Sequence, residues 1–318
     1  MAASGISGVY LSVEDLLLLR GPAQHLNLHK QRPSQAIMGG QSRTRFRGRG
    51  MEFAEVRPYQ PGDDIRTIDW RVTARTQSPY TKLFQEERER PVLVLVDQRS
   101  PMFFGSRHMM KSVYAAQLAA VIAWAAHKNG DRIGGLVVGD HEQEDLRAAR
   151  GKPGLLRFFN ALSSCNSKLT QPMPANDGLK LDAVLQQLNR VVRPGSQVFL
   201  ISDFHDLDDA CAEPLSLMAK RSDLVALQVY DPLEAQLPKR AWLRISNGKQ
   251  QMTLDTQALQ KGYQHSFSQH QQYLNHMCVN NRMVCAQAPV SASVEPLLQS
   301  LFHAKAHQSN LQMEVAHG

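Results

Sequence analysis

Four aspartates in this sequence each follow a short apolar run, directly or within two residues. Asp97 follows Val92–Val96, Asp140 follows Ile133–Val138, Asp203 follows Val198–Ile201, and Asp231 follows Leu224–Val229. Carboxylates gathered in one place repel, so such a set calls for a divalent cation or a cationic partner. Any one of them alone is explained more simply, as the cap of the helix that follows a strand. Asp97 and Asp203 together carry the functional reading. His205, between Asp203 and Asp206, is the histidine best placed to join them.

Other chemistries lack their residues. No G-x-S-x-G is present to raise a nucleophilic serine on a strand-to-helix elbow. Gly151-Lys152-Pro153-Gly154 lacks the glycine spacing and the Ser or Thr of a P-loop. The first apolar run leads into Asp97-Gln98-Arg99, not into a glycine fingerprint, which argues against a dinucleotide. The twelve histidines include no H-E-x-x-H, and His265 and His270 are five residues apart, off a common helical face. The four cysteines, Cys165, Cys211, Cys278 and Cys285, form no C-x-x-C and read as reduced thiols of a cytoplasmic protein. Arg43, Arg45, Arg47 and Arg49 alternate as on an exposed strand face. Only Phe46 and Phe53 lie near them, too few for a base-stacking platform; no nucleic-acid partner is expected, and RNA contact through Arg43–Arg49 stands as a third reading.

The elements that must position the aspartates follow from the pattern around them. The apolar runs do not alternate, which fits strands buried on both faces. Between them lie helical stretches, roughly Met109–Lys128, 154–163, Leu179–Val192 and Asp208–Arg221, with Asn129-Gly130 and Pro194-Gly195 as stops. Strand and helix in alternation give a doubly wound, mostly parallel α/β sheet, and such sheets carry their sites at the carboxyl ends of the strands. Asn247-Gly248 between Trp242–Ser246 and Lys249–Leu254 predicts a hairpin. A helix over Thr256–Met277, a strand at Met283–Ala286 and a last helix at Val294–Phe302 follow. Near the start, Ser12 predicts a cap for a helix over Val13–Arg20.

The chain of 318 residues is 42 % hydrophobic and 20 % charged, the composition of a globular protein. Its formal charge of +7 is uneven. Residues 1–90 hold 14 basic and 10 acidic residues, residues 91–238 hold 15 and 16, and residues 239–318 hold 7 and 3. A near-neutral middle with basic flanks disfavours a basic catalytic channel and suits a surface that meets an acidic partner. No apolar run reaches the roughly 18 residues of a membrane span, and no secretory signal pattern opens the chain. A cytoplasmic location is expected, with peripheral contact to a membrane left open.

Two segments carry a resemblance. Pro91-Val-Leu-Val-Leu-Val-Asp-Gln-Arg-Ser-Pro-Met-Phe-Phe-Gly-Ser106 resembles the first strand and metal loop of a von Willebrand factor A-type domain. Arg57-Pro-Tyr-Gln-Pro-Gly-Asp-Asp-Ile-Arg-Thr-Ile-Asp-Trp-Arg-Val-Thr-Ala-Arg75 resembles the hallmark of the domain of unknown function 58 family. Tyr80–Arg90, Gly130-Asp131-Arg132, Ile201-Ser-Asp-Phe204 and Asp231-Pro-Leu-Glu234 match that family as well, so the resemblance spans about residues 35–305. It implies a von Willebrand factor A-like fold and a MoxR-type AAA+ ATPase as partner. It implies no catalytic activity. Many relatives carry membrane helices ahead of this region, and this chain resembles a short version without them.

The metal loop departs from its usual Asp-x-Ser-x-Ser. Aligned at Asp97, the serine positions hold Arg99 and Pro101, with Ser100 out of register. Near Asp177-Gly178-Leu179-Lys180 there is no threonine for the second loop, while Asp203 matches the third-loop acid. The resemblance thus implies a degenerate site of Asp97, Ser100 and Asp203, at which Mg²⁺ is disfavoured and no cofactor is expected. Arg99 brings a permanent charge to that place and is expected to stand in for the cation by bridging Asp97 and Asp203.

In the Arg57–Arg75 segment, Pro61-Gly62 makes a turn where Asp63 and Asp64 can accept backbone N–H groups. Arg66, Asp69, Arg71 and Arg75 can form a charge network around Trp70. Tyr, Trp and Arg in one patch is the composition of a docking hot spot. The expected partner-binding residues are Tyr59, Asp63, Asp64, Arg66, Asp69, Trp70, Arg75, Arg99, Asp231 and Glu234. The expected organisation is an N-terminal β-rich extension over residues 1–90 and an α/β domain over 91–238. A hairpin and helices over 239–303 and a disordered tail over 304–318 complete it. The function expected is a non-catalytic adaptor that works with a MoxR-type ATPase in assembly or maturation of other proteins. The alternative is a divalent-metal-dependent hydrolase using Asp97, Asp203 and Asp231.

Overall fold

The computed structural model describes residues 8–28, 51–60, 65, 68–86, 90–169, 178–246 and 251–302. Its contacts group residues 1–31 with 90–318 in one unit and residues 32–89 in a second. The larger unit begins with α1 (Val13–Leu18) and α2 (Arg20–Ala23). Ser12 caps α1 as expected, in a reciprocal capping box with Asp15. The smaller unit holds β1 (Met51–Pro58), α3 (Trp70–Thr76) and β2 (Tyr80–Glu86). The two strands pair antiparallel, from Met51 opposite Glu86 to Pro58 opposite Tyr80. Asp69 caps α3, and Gln77 ends it in the left-handed conformation at φ 56°.

The rest of the chain builds a sheet of six strands: β3 (Pro91–Asp97), β4 (Arg132–Val138), β5 (Gln143–Ala149), β6 (Gln197–Ser202), β7 (Asp223–Tyr230) and β10 (Val284–Pro289). The intervening elements are α4 (Lys111–Lys128), α5 (Gly151–Ser167), α6 (Leu181–Val191), α7 (Ala212–Ala219), α8 (Pro232–Ala235), the hairpin β8 (Trp242–Ser246) with β9 (Gln251–Asp255), and α9 (Thr256–Asn280). Residues 294–302 are helical. Strand order is β5-β4-β3-β6-β7-β10, with β5 alone antiparallel to its neighbour. This is the expected doubly wound, mostly parallel α/β sheet. Winding reverses between β3 and β6, and the crevice at the carboxyl ends of that pair is where such sheets bind. Among the described residues, no helix is long and apolar enough to cross a membrane.

Burial on both faces explains the unbroken apolar runs. Val92, Val94 and Val96 of β3 point into one core with α4 and α5, while Leu93 and Leu95 point into the other with α6, α7 and α9. Two strands differ from the sequence expectation. The polar sequence QEDLRAA hid β5, which sits at the sheet edge with none of its residues fully buried. Residues 284–289, expected within a C-terminal addition, form the opposite edge of the sheet itself. Gly134-Gly135 lets β4 pass close to both neighbours. A Cβ on Gly135 (φ +144°) would fall 2.0 Å from the Val94 carbonyl oxygen.

The helix α4 reads KSVYAAQLAAVIAWAAHK and is buried from Lys111 to Ala126. A helix apolar all round needs cover on every side. The sheet covers one side, and residues 8–28 help to cover the other. Trp124 Nε1 donates to the Leu16 carbonyl at 3.0 Å, and Leu16, Leu19 and Leu26 are buried. The Leu11 N–H reaches Asn166 Oδ1 at 3.1 Å, and Asn166 Nδ2 donates to Gln98 Oε1. That demand for cover is why residues 8–28 group with the sheet.

The sheet has two chemically different ends. Its parallel strands begin at or shortly after an arginine: Arg90, Arg132, Arg193, Arg221 and Arg282. At the other end, four of them run into the aspartates of the sequence pattern, which the topology sets along one edge.

Candidate functional site at the carboxyl edge

Asp97 ends β3 and is 1 % exposed, and Arg99, two residues on, is 4 % exposed. The Arg99 guanidinium uses all five of its N–H donors. Nε donates to Asp97 Oδ1 at 3.0 Å, and Nη2 to Asp97 Oδ2 at 2.8 Å and Asp206 Oδ1 at 2.9 Å. Nη1 donates to Asp206 Oδ2 at 2.6 Å and to the Leu179 carbonyl at 2.9 Å. Asp97 also accepts from the Arg99 backbone N–H at 3.0 Å and from Ser202 Oγ at 2.6 Å. Burial alone would lower the Arg99 pKa. The charge of Asp97 and hydrogen bonds with Asp97 and Asp206 more than offset it, holding the group above its ordinary value.

Arg99 therefore bridges Asp97 and Asp206, not the expected Asp97 and Asp203. Phe204, at φ 57°, turns the chain sharply between the two aspartates of that loop. Asp203 instead accepts from Lys111 Nζ at 2.8 Å, and the same ammonium donates to Glu234 Oε1 at 2.7 Å. Lys111 opens α4 and is 2 % exposed. Its nitrogen lies 5.9 Å from the Phe104 ring centre, within reach of a cation–π contact. Burial would lower the Lys111 pKa, and the charges of Asp203 and Glu234 raise it above the ordinary value.

His205 joins the two pairs. Its Nδ1 lies 3.0 Å from Asp203 Oδ1 and 3.6 Å from Asp206 Oδ1. Burial works to lower its pKa, but the hydrogen bond and charge of Asp203 raise it. For Asp203, burial favours the neutral acid, and Lys111 and His205 hold the carboxyl well below the usual range. Asp206 is likewise held low, against burial, by its hydrogen bonds and charge pairing with Arg99.

The remaining strand-end acids turn elsewhere. Asp140 accepts from the Ser100 N–H at 2.8 Å and Ser100 Oγ at 2.6 Å. Asp231, 0 % exposed, caps α8 and accepts from the Ser106 and Leu233 N–H groups, both at 2.8 Å. The expected metal set is thus drawn apart: Asp97 to Arg99, Ser100 to Asp140, Asp203 to Lys111. Among the described residues, no three His, Cys, Asp or Glu side chains converge as a metal site. With Asp97 occupied on both oxygens by a guanidinium and a hydroxyl, these residues do not fit a divalent ion.

Arg99 and Asp231, expected to face a partner, are buried and committed inside the fold. Glu234 keeps its side chain 24 % exposed, Asp206 25 % and His205 34 %. Asp206 and Lys111 escaped the sequence reading. The available signals were a second Asp three residues after Asp203 and a lone lysine at the head of an otherwise apolar helix.

In the smaller unit, Asp69 accepts from the Arg71 and Val72 N–H groups, Trp70 and Arg75 are exposed, and Tyr59 is half-buried. Asp63, Asp64, Arg66, Asp177 and the arginines from Arg43 to Arg49 lie outside the described residues.

Residues 55–273 match the family described as "Protein of unknown function DUF58". Uncharacterized protein Rv1480 of Mycobacterium tuberculosis and Uncharacterized protein Mb1516 of Mycobacterium bovis are each 31 % identical over 192 residues, 60 % of this chain. The match spans 58 % of the length of those relatives. Among solved structures, BatB from Bacteroides thetaiotaomicron aligns at TM-score 0.44 and 14 % identity, over 69 % of this chain and 99 % of that one. A von Willebrand factor type A protein from Catenulispora acidiphila aligns at TM-score 0.39 and 11 % identity, over 72 % and 44 %.

Proposed function

The chain belongs to the DUF58 family, and we propose that it is a non-catalytic protein-binding module. In this reading it works in the cytoplasm beside a MoxR-type AAA+ ATPase, in assembly or maturation of other proteins. The observation that supports this most is the saturation of Arg99. A cation carried on the chain, with every donor engaged, leaves no open coordination position for a substrate or for a partner's carboxylate. The edge then serves as a surface. It offers His205, Asp206 and Glu234 outward, a set that fits basic residues on a partner. In the smaller unit, Trp70 and Ile65 are 67 % and 65 % exposed, and Trp70 shares the segment with Tyr59 and Arg75. Aromatic and arginine side chains are those that dominate binding energy at interfaces.

Pull-down of a MoxR-type ATPase by the full chain tests this reading. Recovery is expected to fall in Trp70→Ala and in Asp206→Lys, and undiminished recovery in both variants removes the docking role. Calorimetric titration with Mg²⁺ is expected to give no specific binding. Micromolar binding abolished by Asp97→Ala would return the reading to a metal-dependent hydrolase.

A further inference from the structure

At the opposite end of the sheet, α2 and the last turn of α4 bound a cleft of about 370 Å³. Arg20, Ala23, Gln24, Trp124, His127 and Lys128 line it. Half of these residues are basic, and among the described residues none lining it is acidic. Arg20 has no ion pair among the described residues, and its guanidinium carbon lies 5.7 Å from the centre of a Trp124 ring. Lys128 Nζ donates to the Gln24 carbonyl. His127 meets Trp124 edge-on, with ring centres 5.8 Å apart. The carboxyl end of α4 offsets about half an elementary charge, less than the cations bring. The lining therefore keeps a net positive charge toward solvent, which suits an anion.

Just before Arg20, Leu17 and Leu18 are 38 % and 70 % exposed. Cations beside exposed leucines, over a tryptophan, combine the two attractions that hold a protein at a lipid interface. Of the arginines that open the parallel strands at this same end, Arg90 is paired with Asp223 at 3.0 Å. Exposed leucines beside the cations favour a lipid interface over an acidic segment, which offers the leucines no apolar surface.

We infer that this end of the sheet is a contact site for an anionic membrane surface, with a lipid phosphate in the cleft against Arg20 and Lys128 and Leu18 in the acyl boundary. The site is remote from the carboxyl edge, and the inference does not depend on which partner that edge takes.

Co-sedimentation of the full chain with phosphatidylcholine vesicles, with and without phosphatidylglycerol, tests it. The chain is expected to pellet only with the anionic vesicles. Each cation at the surface is worth about five-fold in partition, so Arg20→Glu with Lys128→Glu should weaken binding by about 25-fold or more. Leu18→Asp should weaken it with the cations intact. Lys168→Glu with Lys180→Glu, exposed positions at the other end, makes the same change in net charge and should leave binding unaltered. Equal pelleting with neutral vesicles overturns the inference, and so does binding that the Arg20/Lys128 variant leaves unweakened. Binding of polyglutamate without binding of anionic vesicles would also overturn it, by making an acidic protein segment the occupant.

Discussion

The Arg99 guanidinium holds the Asp97 carboxylate at two points, with Nε 3.0 Å from Oδ1 and Nη2 2.8 Å from Oδ2, and both side chains are almost fully buried. A buried pair of this kind is expensive to break from one side, because the remaining charge keeps its desolvation cost without its partner.

Arg99→Met is therefore expected to destabilise the protein by about 3–5 kcal/mol in urea unfolding. Adding Asp97→Asn to Arg99→Met should recover part of that loss, since no bare carboxylate then remains at the end of β3. A double variant no more stable than Arg99→Met would refute the pairing as the source of the effect.

Lys111→Met takes from Asp203, which is 8 % exposed, its lysine partner and leaves it only His205, and is expected to cost a similar amount, about 3–5 kcal/mol. Lys168→Met, at the solvent-exposed pair with Glu142, should leave the unfolding midpoint unchanged. Equal midpoints for the two variants would place Lys111 among ordinary surface lysines.

The raised pKa of His205 gives stability a defined pH dependence. Asp203 and Asp206 face the ring and favour its charged form, while Arg99 opposes it. A histidine raised on folding stabilises fully below its unfolded value of about 6.5, and that contribution is lost as pH climbs through the folded value. Midpoints measured from about pH 6 upward should fall, and His205→Gln should flatten that slope. At the acid end the sign reverses: Asp203 and Asp206 are held low, so their contribution is lost as pH drops below about 4.

Gly135→Ala is expected to destabilise strongly. Its Cβ would lie 2.0 Å from the Val94 carbonyl oxygen, at a backbone angle side chains rarely adopt. Gly262→Ala, on α9 with nothing within 4 Å of the added carbon, should stabilise slightly. Thermal melts of the two variants moving in the same direction would contradict the close strand approach.

Asn166→Leu removes the side chain that links the Leu11 N–H to Gln98 in the buried interior. Residues 8–28 are expected to become susceptible to limited proteolysis while the sheet remains folded, and an unchanged digestion pattern would deny Asn166 that role.

The alignment of Asp97, Asp140, Asp203 and Asp231 was legible because each ends an apolar run, and a parallel sheet leaves such residues a single edge. Their partners were not. Lys111 reaches Asp203 across 92 residues of sequence, and Asp206 reaches Arg99 across 107. No local pattern encodes those distances. Strand β5 was missed because its polar sequence, QEDLRAA, reads like an exposed loop. The grouping of residues 8–28 with the sheet was hidden in α4, whose apolar circumference needs cover on two sides while the covering residues lie far upstream. The composition of the Arg57–Arg75 segment was legible, and Trp70 proves to be exposed, whereas Asp231 reads as a surface acid and is buried, accepting from the Ser106 N–H.

A charge tethered by its own backbone obeys no mass action. A free ion stabilises its site in proportion to the logarithm of its abundance over its dissociation constant. Arg99 carries no such term, so the carboxyl edge keeps the same electrostatic setting whether divalent ions are plentiful or scarce.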